Sequence, residues 1–291
     1  MEEIRIPNQA TYSPVALTDI AFAAPILSRL LLGATLPGRM LQVAALGVYV
    51  GSAVTDWFAR QGVRRIDFRL EFGGDVDSLK PMPRPEREAE VAALVGIVNE
   101  HYDATTLPRA DLAANVDRHL TTYIAGITGQ RVHTSAEVRS FGLAKLVFPF
   151  ALGAYDIFSG DIAIFQRAGV FEPHVIAHEF CHRKGYWKEL HAQTLGYLAM
   201  AASGDPILIQ SARCERLLRH MRVLSGDDPR TYRKLVEGAG LRAELAPQFL
   251  GLRPESSTLE RSIENVLKTV YDERMRLTGQ NGISDYDLGF T

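Results

Sequence analysis

In the pentapeptide His178-Glu179-Phe180-Cys181-His182, two imidazoles stand four residues apart with a carboxylate between them. On a helix of 3.6 residues per turn, side chains four apart share a face, so His178 and His182 can close on one cation. Glu179, one residue round, then points at a water held by that cation. This is a two-ligand zinc site with its own general base, and it predicts a zinc hydrolase.

A helix must carry the pentapeptide. Pro173 suits its first turn, where a missing N–H costs nothing, and Val175-Ile176-Ala177 gives it an apolar flank. Gly185 follows His182 by three residues and can take the left-handed conformation that ends a helix, which predicts a span from Pro173 to Lys184. Zinc held by three side chains keeps a position open for catalysis, and the candidates beyond the turn are Glu189 and His191. Glu189 is preferred. It opens a second helical pattern running to Met200, in which Gln193 lies one turn on and can bond a ligating imidazole from behind. His191 lies about 200° round that helix from Glu189, so the two do not share one ion. If Glu189 is out of reach, His191 replaces it. His174, one turn before His178 on the same face, reads as a packing or rim residue, and Cys181 reads as a core thiol.

Ala177 to Gly185, followed by Glu189-Leu190-His191-Ala192-Gln193, resembles the HExxHxxG…ExEAN signature of an uncharacterised bacterial family of predicted zinc metallopeptidases, zincins of gluzincin-like type. The similarity extends upstream to Phe148–Tyr155 and Phe158–Asp161. Downstream it takes in Asp272 and Gly279-Gln280-Asn281-Gly282 as far as Tyr286, so that it covers the chain from about Lys145 to Tyr286. The resemblance implies an α+β, mostly helical, zincin-like catalytic domain with Glu189 as the third ligand to Zn2+. It also implies a donor for a developing oxyanion among Tyr155, Tyr271, Arg274 and Tyr286, with Tyr155 and Tyr286 placed first. His191 stands where the family has a second Glu, and Gln193 where it has Asn. Those departures affect the groups behind the ligands and leave His178, Glu179 and His182 untouched.

A formal net charge of −2 over 291 residues argues against a large nucleic-acid interface, which needs concentrated Lys and Arg. Two cysteines, Cys181 and Cys214, do not make a disulfide scaffold, and a reducing, cytoplasmic setting is the simplest expectation. Met1 to Tyr12 is acidic and polar, unlike a secretory signal. Two apolar runs follow, Ile20–Leu36 and Met40–Val54, separated by Pro37-Gly38-Arg39. Each is at or below the roughly 17–20 residues that span a bilayer, and a buried helical hairpin is expected. The resemblance, to a family often carrying N-terminal membrane helices, supplies a second reading, peripheral membrane contact through residues 20–54.

Arg65 to Phe72 alternates apolar and charged residues and predicts a half-buried strand. Gly73 to Pro85 reads as a linker. The expected domains are therefore residues 1–72, an N-terminal apolar helical hairpin plus strand, and residues 86–291, the catalytic domain. Helices are predicted over Arg84–His101, Ala110–Ile127, Ile207–Leu224, Asp228–Ala239 and Leu259–Leu277. The apolar run Ile162 to Phe165 suits a strand just before the zinc helix, and in zincins such a strand pairs with an extended peptide.

The expected activity is hydrolysis of a peptide bond, with Glu179 as general base. The alternatives are a zinc-dependent enzyme acting on a small amide or ester, and a catalytically inactive zinc protein whose site is closed by His191 or His174.

Overall fold

The computed structural model describes residues 1–74, 79–139, 152–156, 158–165, 167–226 and 228–252, and near the C-terminus residues 269–270, 272–273, 275–277, 279–280 and 282. These are mostly helical, with four short strands among them. The chain groups into two compact units, each discontinuous in sequence. Met1–Arg65, Pro108–Gln166 and Glu179–Tyr186 form the first; Ile66–Leu107, Arg167–His178 and Trp187–Thr291 form the second. The units interleave along the chain instead of falling into residues 1–72 and 86–291.

In the first unit, β1 (Glu2–Arg5) lies parallel to β2 (Gln130–His133), in register from Glu2 opposite Gln130 to Arg5 opposite His133. Helix α5 (Arg109–Thr128) leads into β2 through Gly129, whose φ of 67° no β-carbon residue adopts cheaply. Leu112, Val116, Leu120 and Ile124 recur every fourth residue along α5 and are buried, as are Ile6 and Val132 of the strands' vicinity. That spacing is the apolar stripe of a helix packed on one side. A second small sheet pairs β3 (Gly153–Tyr155) antiparallel with β4 (Ile162–Ile164).

Helices α1 (Leu17–Leu32) and α2 (Leu36–Arg60) form the expected hairpin, with the Thr35 hydroxyl accepting from the Gly38 N–H at the start of α2. The expectation that it is buried is wrong. Leu30, Leu31 and Val43 are 75 %, 78 % and 71 % exposed. The buried residues of α2 are instead small or polar: Gly38, Ser52, Asp56 and Arg60.

In the second unit α4 (Arg84–Glu100), α7 (Glu189–Ala201), α8 (Pro206–Leu224) and α9 (Pro229–Gly238) follow the predicted pattern closely, and a short helix that the pattern did not predict, α10 (Ala246–Gly251), comes after them. Leu94, Val98, Phe171, Leu217, Met221 and Phe249 are among its core residues. Asp205 and Asp228 cap α8 and α9, each accepting from backbone N–H groups of the first turn beside a proline at the helix start.

Residues 65–72 are not a strand. Phe68–Phe72 is a short helix, α3, because Asp67 accepts from the N–H groups of Arg69 and Leu70 at 3.1 Å each and Gly73 closes it at φ 71°. The rings of Phe68 and Phe72, one turn apart, lie 5.4 Å from each other. That pairing satisfies the same apolar residues that alternation would have placed on one strand face. Of the predicted helix Leu259–Leu277, only the described residues from 269 onward can be compared, and those up to 277 are helical.

Candidate metal centre

The HExxH pentapeptide sits on α6 (Glu172–Arg183), which enters from a turn of 3₁₀ helix over Gly169–Phe171. The Glu172 carboxylate accepts from the Ala168 N–H and Gln248 accepts from the Val170 N–H in the turn before the helix, and within its first turn the His174 N–H donates to Ser211 Oγ. At the other end Gly185, at φ 104°, takes the left-handed position. Its N–H donates to the His182 carbonyl and the Tyr186 N–H donates back to the Cys181 carbonyl, the paired bonds of a Schellman cap. The predicted role of Gly185 is thereby met.

His178, Glu179, His182 and Glu189 are each only 7–8 % exposed. One ligand atom from each of His178, His182 and Glu189 lies within 4.8 Å of the other two, the only such group of three among the described residues. His178 Nε2 and Glu189 Oε2 are 3.0 Å apart. His182 Nδ1 lies 2.9 Å from the Tyr186 carbonyl. An Nδ1–H donating there fixes the ring and leaves Nε2 with its lone pair, the state in which a histidine ligates. A cluster of two imidazoles and a carboxylate held this way could hold a metal ion.

Helix α7 is placed to deliver Glu189. The Glu189 N–H, one of the unsatisfied donors at a helix start, is taken by Gln280 Oε1 at 2.8 Å. Gln280 is itself flanked by Gly279 and Gly282, and a β-carbon on Gly282 would lie 2.1 Å from Asp272 Oδ1. So Gln280 braces the start of the Glu189 helix. Farther along α7, Gly196 lets the helix come close to α6: an added β-carbon would be 3.4 Å from the His178 backbone nitrogen.

Neither alternative ligand joins the cluster. The His191 ring packs on Phe68, with centroids 4.3 Å apart. The His174 backbone N–H donates to Ser211 Oγ, and burial pulls the pKa of its ring down to about 4, despite the nearby Glu215 carboxylate. Gln193 was expected behind a ligating imidazole. Its amide instead donates to Glu215 Oε1 at 3.4 Å. Burial would raise the Glu215 carboxyl, but Arg219 and His174 outweigh it and hold the group at about 2. Cys181 and Cys214 are both buried, Cys181 as expected of a core cysteine.

Tyr155 ends β3 with its ring centroid 6.1 Å from that of His182. Burial raises its pKa, an effect that the nearby Arg60 and Arg183 only partly offset, so the hydroxyl stays protonated. Tyr286, Tyr271 and Arg274 lie outside the described residues. The strand expected at Ile162–Phe165 is present as β4, but it does not offer the edge anticipated for a peptide. One side pairs with β3, and on the other the Arg139 N–H donates to the Ile162 carbonyl while the Ile164 N–H donates to the Arg139 carbonyl.

The sequence reading missed the groups that hold the end of α6. Arg60, on the last turn of α2, donates from Nε to the Arg183 carbonyl at 3.0 Å, pairs with buried Asp56 at 3.3 Å and stands 5.7 Å over the Tyr155 ring. Arg183 donates to the carbonyls of Gly160, Ser135 and Glu137. Lys184 is fully buried and pairs with Asp117 at 2.7 Å. The available signal was an i, i+4 pair of opposite charges, Asp56 and Arg60, ending a helix that is otherwise nearly uncharged.

A protein family described as "Protein of unknown function (DUF3810)" matches residues 139–289, just over half of the chain. The chain belongs to the DUF3810 family. Its span includes His178, Glu179, His182, Glu189 and Gln280, whereas Asp56 and Arg60 lie upstream of the match. The family description carries no activity. No curated protein and no solved structure matches the chain.

Proposed function

We propose that this DUF3810 protein is a zinc-dependent hydrolase, a metallopeptidase in kind, with His178, His182 and Glu189 as zinc ligands and Glu179 as general base. The convergence of those three ligand atoms within 4.8 Å, on a helix that also carries Glu179, is the observation that supports it. Two neutral imidazoles and one carboxylate suit zinc better than magnesium or calcium, which prefer all-oxygen sites. Three protein ligands leave the ion open to substrate, and neither His174 nor His191 stands in the cluster to close it. When bound, zinc supplies Lewis acidity, which polarises a carbonyl and lowers the pKa of water.

The chain's own groups do the rest. Glu179 accepts the proton of the attacking water and returns it to the leaving amine or alcohol. The Tyr186 carbonyl keeps His182 turned. The Tyr155 hydroxyl, held protonated by its burial, is the described candidate to donate a hydrogen bond to the oxyanion formed at the substrate carbonyl. The electrophile is a peptide amide or, in the second form of the proposal, a small amide or ester. That second form gains from β4, both of whose edges are engaged, so that a long extended peptide finds no free edge there.

The test is Glu179→Gln, assayed with a peptide library and small amide and ester substrates beside zinc analysis of the purified protein. Zinc content should stay as in the native protein while turnover falls by about 10²–10⁴. Unchanged turnover would remove Glu179 from the role of base, and native protein that takes up no zinc would remove the metal.

A further inference from the structure

The last turn of an α-helix leaves carbonyls without an intrahelical partner, and at the end of α6 those carbonyls lie beside a proposed zinc ligand. The carbonyls of Cys181 and His182 are taken by the N–H groups of Tyr186 and Gly185. The next one, of Arg183, is taken at 3.0 Å by Arg60 Nε, from a helix 123 positions earlier in the chain. A guanidinium there also opposes the partial negative charge of the helix end. Arg60 is thus a C-terminal cap that only the tertiary structure can deliver.

The same side chain reaches His182 by a second route. Its guanidinium stands over the Tyr155 ring, 5.7 Å from the centroid, and that centroid lies 6.1 Å from the one of His182. His182 is therefore tied to Arg60 through the main chain on one side and through an aromatic ring on the other. Arg60 in turn has little freedom. Its Nη2 is 3.3 Å from Asp56 Oδ2, and both side chains are hidden from water. Asp56 also accepts from the main-chain N–H and the side-chain amide of Asn8, whose φ of 45° is the only positive value outside glycine among the described residues. The Asn8 side-chain oxygen accepts from the Ser135 N–H, and the Ser135 and Glu137 carbonyls accept from Arg183 Nη1. A ring of hydrogen bonds thereby closes on Arg183 from its main chain and from its side chain.

A buried ion pair is a poor source of stability, because taking two charges out of water costs about as much as their attraction returns, and apolar groups of the same volume often do as well. What it supplies is placement, since directional bonds from a planar guanidinium select one arrangement. We infer that Asp56 and Arg60 are positioning residues for the metal centre, holding the end of α6 and the Tyr155 ring so that His182 meets a metal in one orientation, from a helix outside the DUF3810 match. Metal affinity then belongs to α2 as well as to the HExxH pentapeptide. The inference rests on the metal-binding part of the proposed function and not on hydrolysis.

Zinc dissociation constants of the full chain, measured by competition with a chromophoric chelator, test it. Arg60→Met keeps the side-chain length without its donors and should weaken zinc binding about 10–100-fold. Arg60→Lys keeps the charge but not the forked donor and should weaken it about tenfold; this milder variant decides the matter if Arg60→Met does not fold. In both, the visible spectrum of the Co2+-loaded site should shift at saturating metal, because the geometry of the ligands changes. Leu120→Ala, in the buried apolar stripe of α5, is the control: it should lower the melting midpoint with zinc affinity and cobalt spectrum unchanged. Zinc affinity that stays native in the Arg60 variants overturns the inference, as does a cobalt spectrum that stays native in them. So does an equal loss of affinity in Leu120→Ala, because the effect would then be general destabilisation. Native protein that binds no zinc removes the metal centre and this inference together, whereas unchanged turnover in Glu179→Gln beside Arg60-dependent zinc affinity removes the hydrolase and leaves the positioning pair standing.

Discussion

Replacing Glu189 by alanine separates what its carboxylate does for the fold from what it does for a metal. Glu189 Oε2 stands 3.0 Å from His178 Nε2, and both side chains are about nine-tenths hidden. Removing the carboxylate from metal-free protein deprives a buried imidazole of that neighbour, at a cost of about 1–3 kcal/mol. Zinc adds a separate stabilisation of RT ln(1 + [Zn]/Kd), about 2.7 kcal/mol at a hundredfold excess over Kd. With an unfolding entropy of about 2.1 cal/mol/K per residue, the 291-residue chain then gains about 4 °C in melting midpoint, or roughly twice that if a unit half the size unfolds alone. Glu189→Ala should lower the metal-free midpoint and lose most of the zinc increment. His191→Ala removes a ring packed on Phe68, so it should lower the midpoint while keeping the increment. Scanning fluorimetry of chelated and zinc-titrated protein reads both quantities. An increment that survives in Glu189→Ala, or disappears only in His191→Ala, refutes the assignment of the third ligand.

Gly160→Ala should destabilise the first unit by about 2–3 kcal/mol or more in urea melts, since Gly160 has φ 77° and an added β-carbon would lie 2.6 Å from Asp56 Oδ2; left-handed backbone alone costs an alanine about 1–2 kcal/mol, and a change below 1 kcal/mol would show that the Asp56–Arg60 anchor is slack. His220 should make stability fall with acid. Its Nδ1 lies 2.7 Å from Arg87 and its Nε2 3.2 Å from Glu90, and burial is the main reason its pKa drops to about 4. The unfolded histidine, near 6.5, therefore binds a proton that the folded one refuses, so the full stability is present above about pH 6.5 and roughly 1–3 kcal/mol is lost on going down to about pH 4. Urea midpoints of native protein and His220→Gln across that range should diverge from parallel, and identical slopes would show that His220 does not titrate as described.

The pentapeptide and its cap were legible because their logic is local: four-residue spacing fixes a shared face, and Gly185 supplies the only cheap left-handed turn nearby. Glu189 was legible as a helix start just past that turn, but nothing local announced Gln280, which reaches it from 91 positions away. The α1–α2 hairpin was placed correctly in sequence and wrongly in environment. Apolar content alone does not say which side of a helix packs inward; the small and polar stripe from Gly38 to Asp56 is the side of α2 that is buried. Residues 65–72 failed for a different reason. Alternation over eight residues also contains the i, i+4 pair Phe68 and Phe72, and the two bonds accepted by Asp67 tipped the balance toward helix. The peptide-pairing edge was misjudged because Arg139, which closes it, belongs to no recognisable element.

The pairing of β1 with β2 has a consequence for how the polypeptide is made. Glu2 to Arg5 finds its strand partner only at residues 130–133, and Arg60 finds the carbonyl it donates to only at Arg183. While the ribosome is still extending the chain, the N-terminal third carries its apolar hairpin before the partners beyond residue 129 are made, and closing such long loops is slow. Cutting the gene after residue 72 would thus yield a fragment deprived of those partners, fit for aggregation more than for crystallisation. Any shortened version intended to retain the hairpin must run at least through Tyr186.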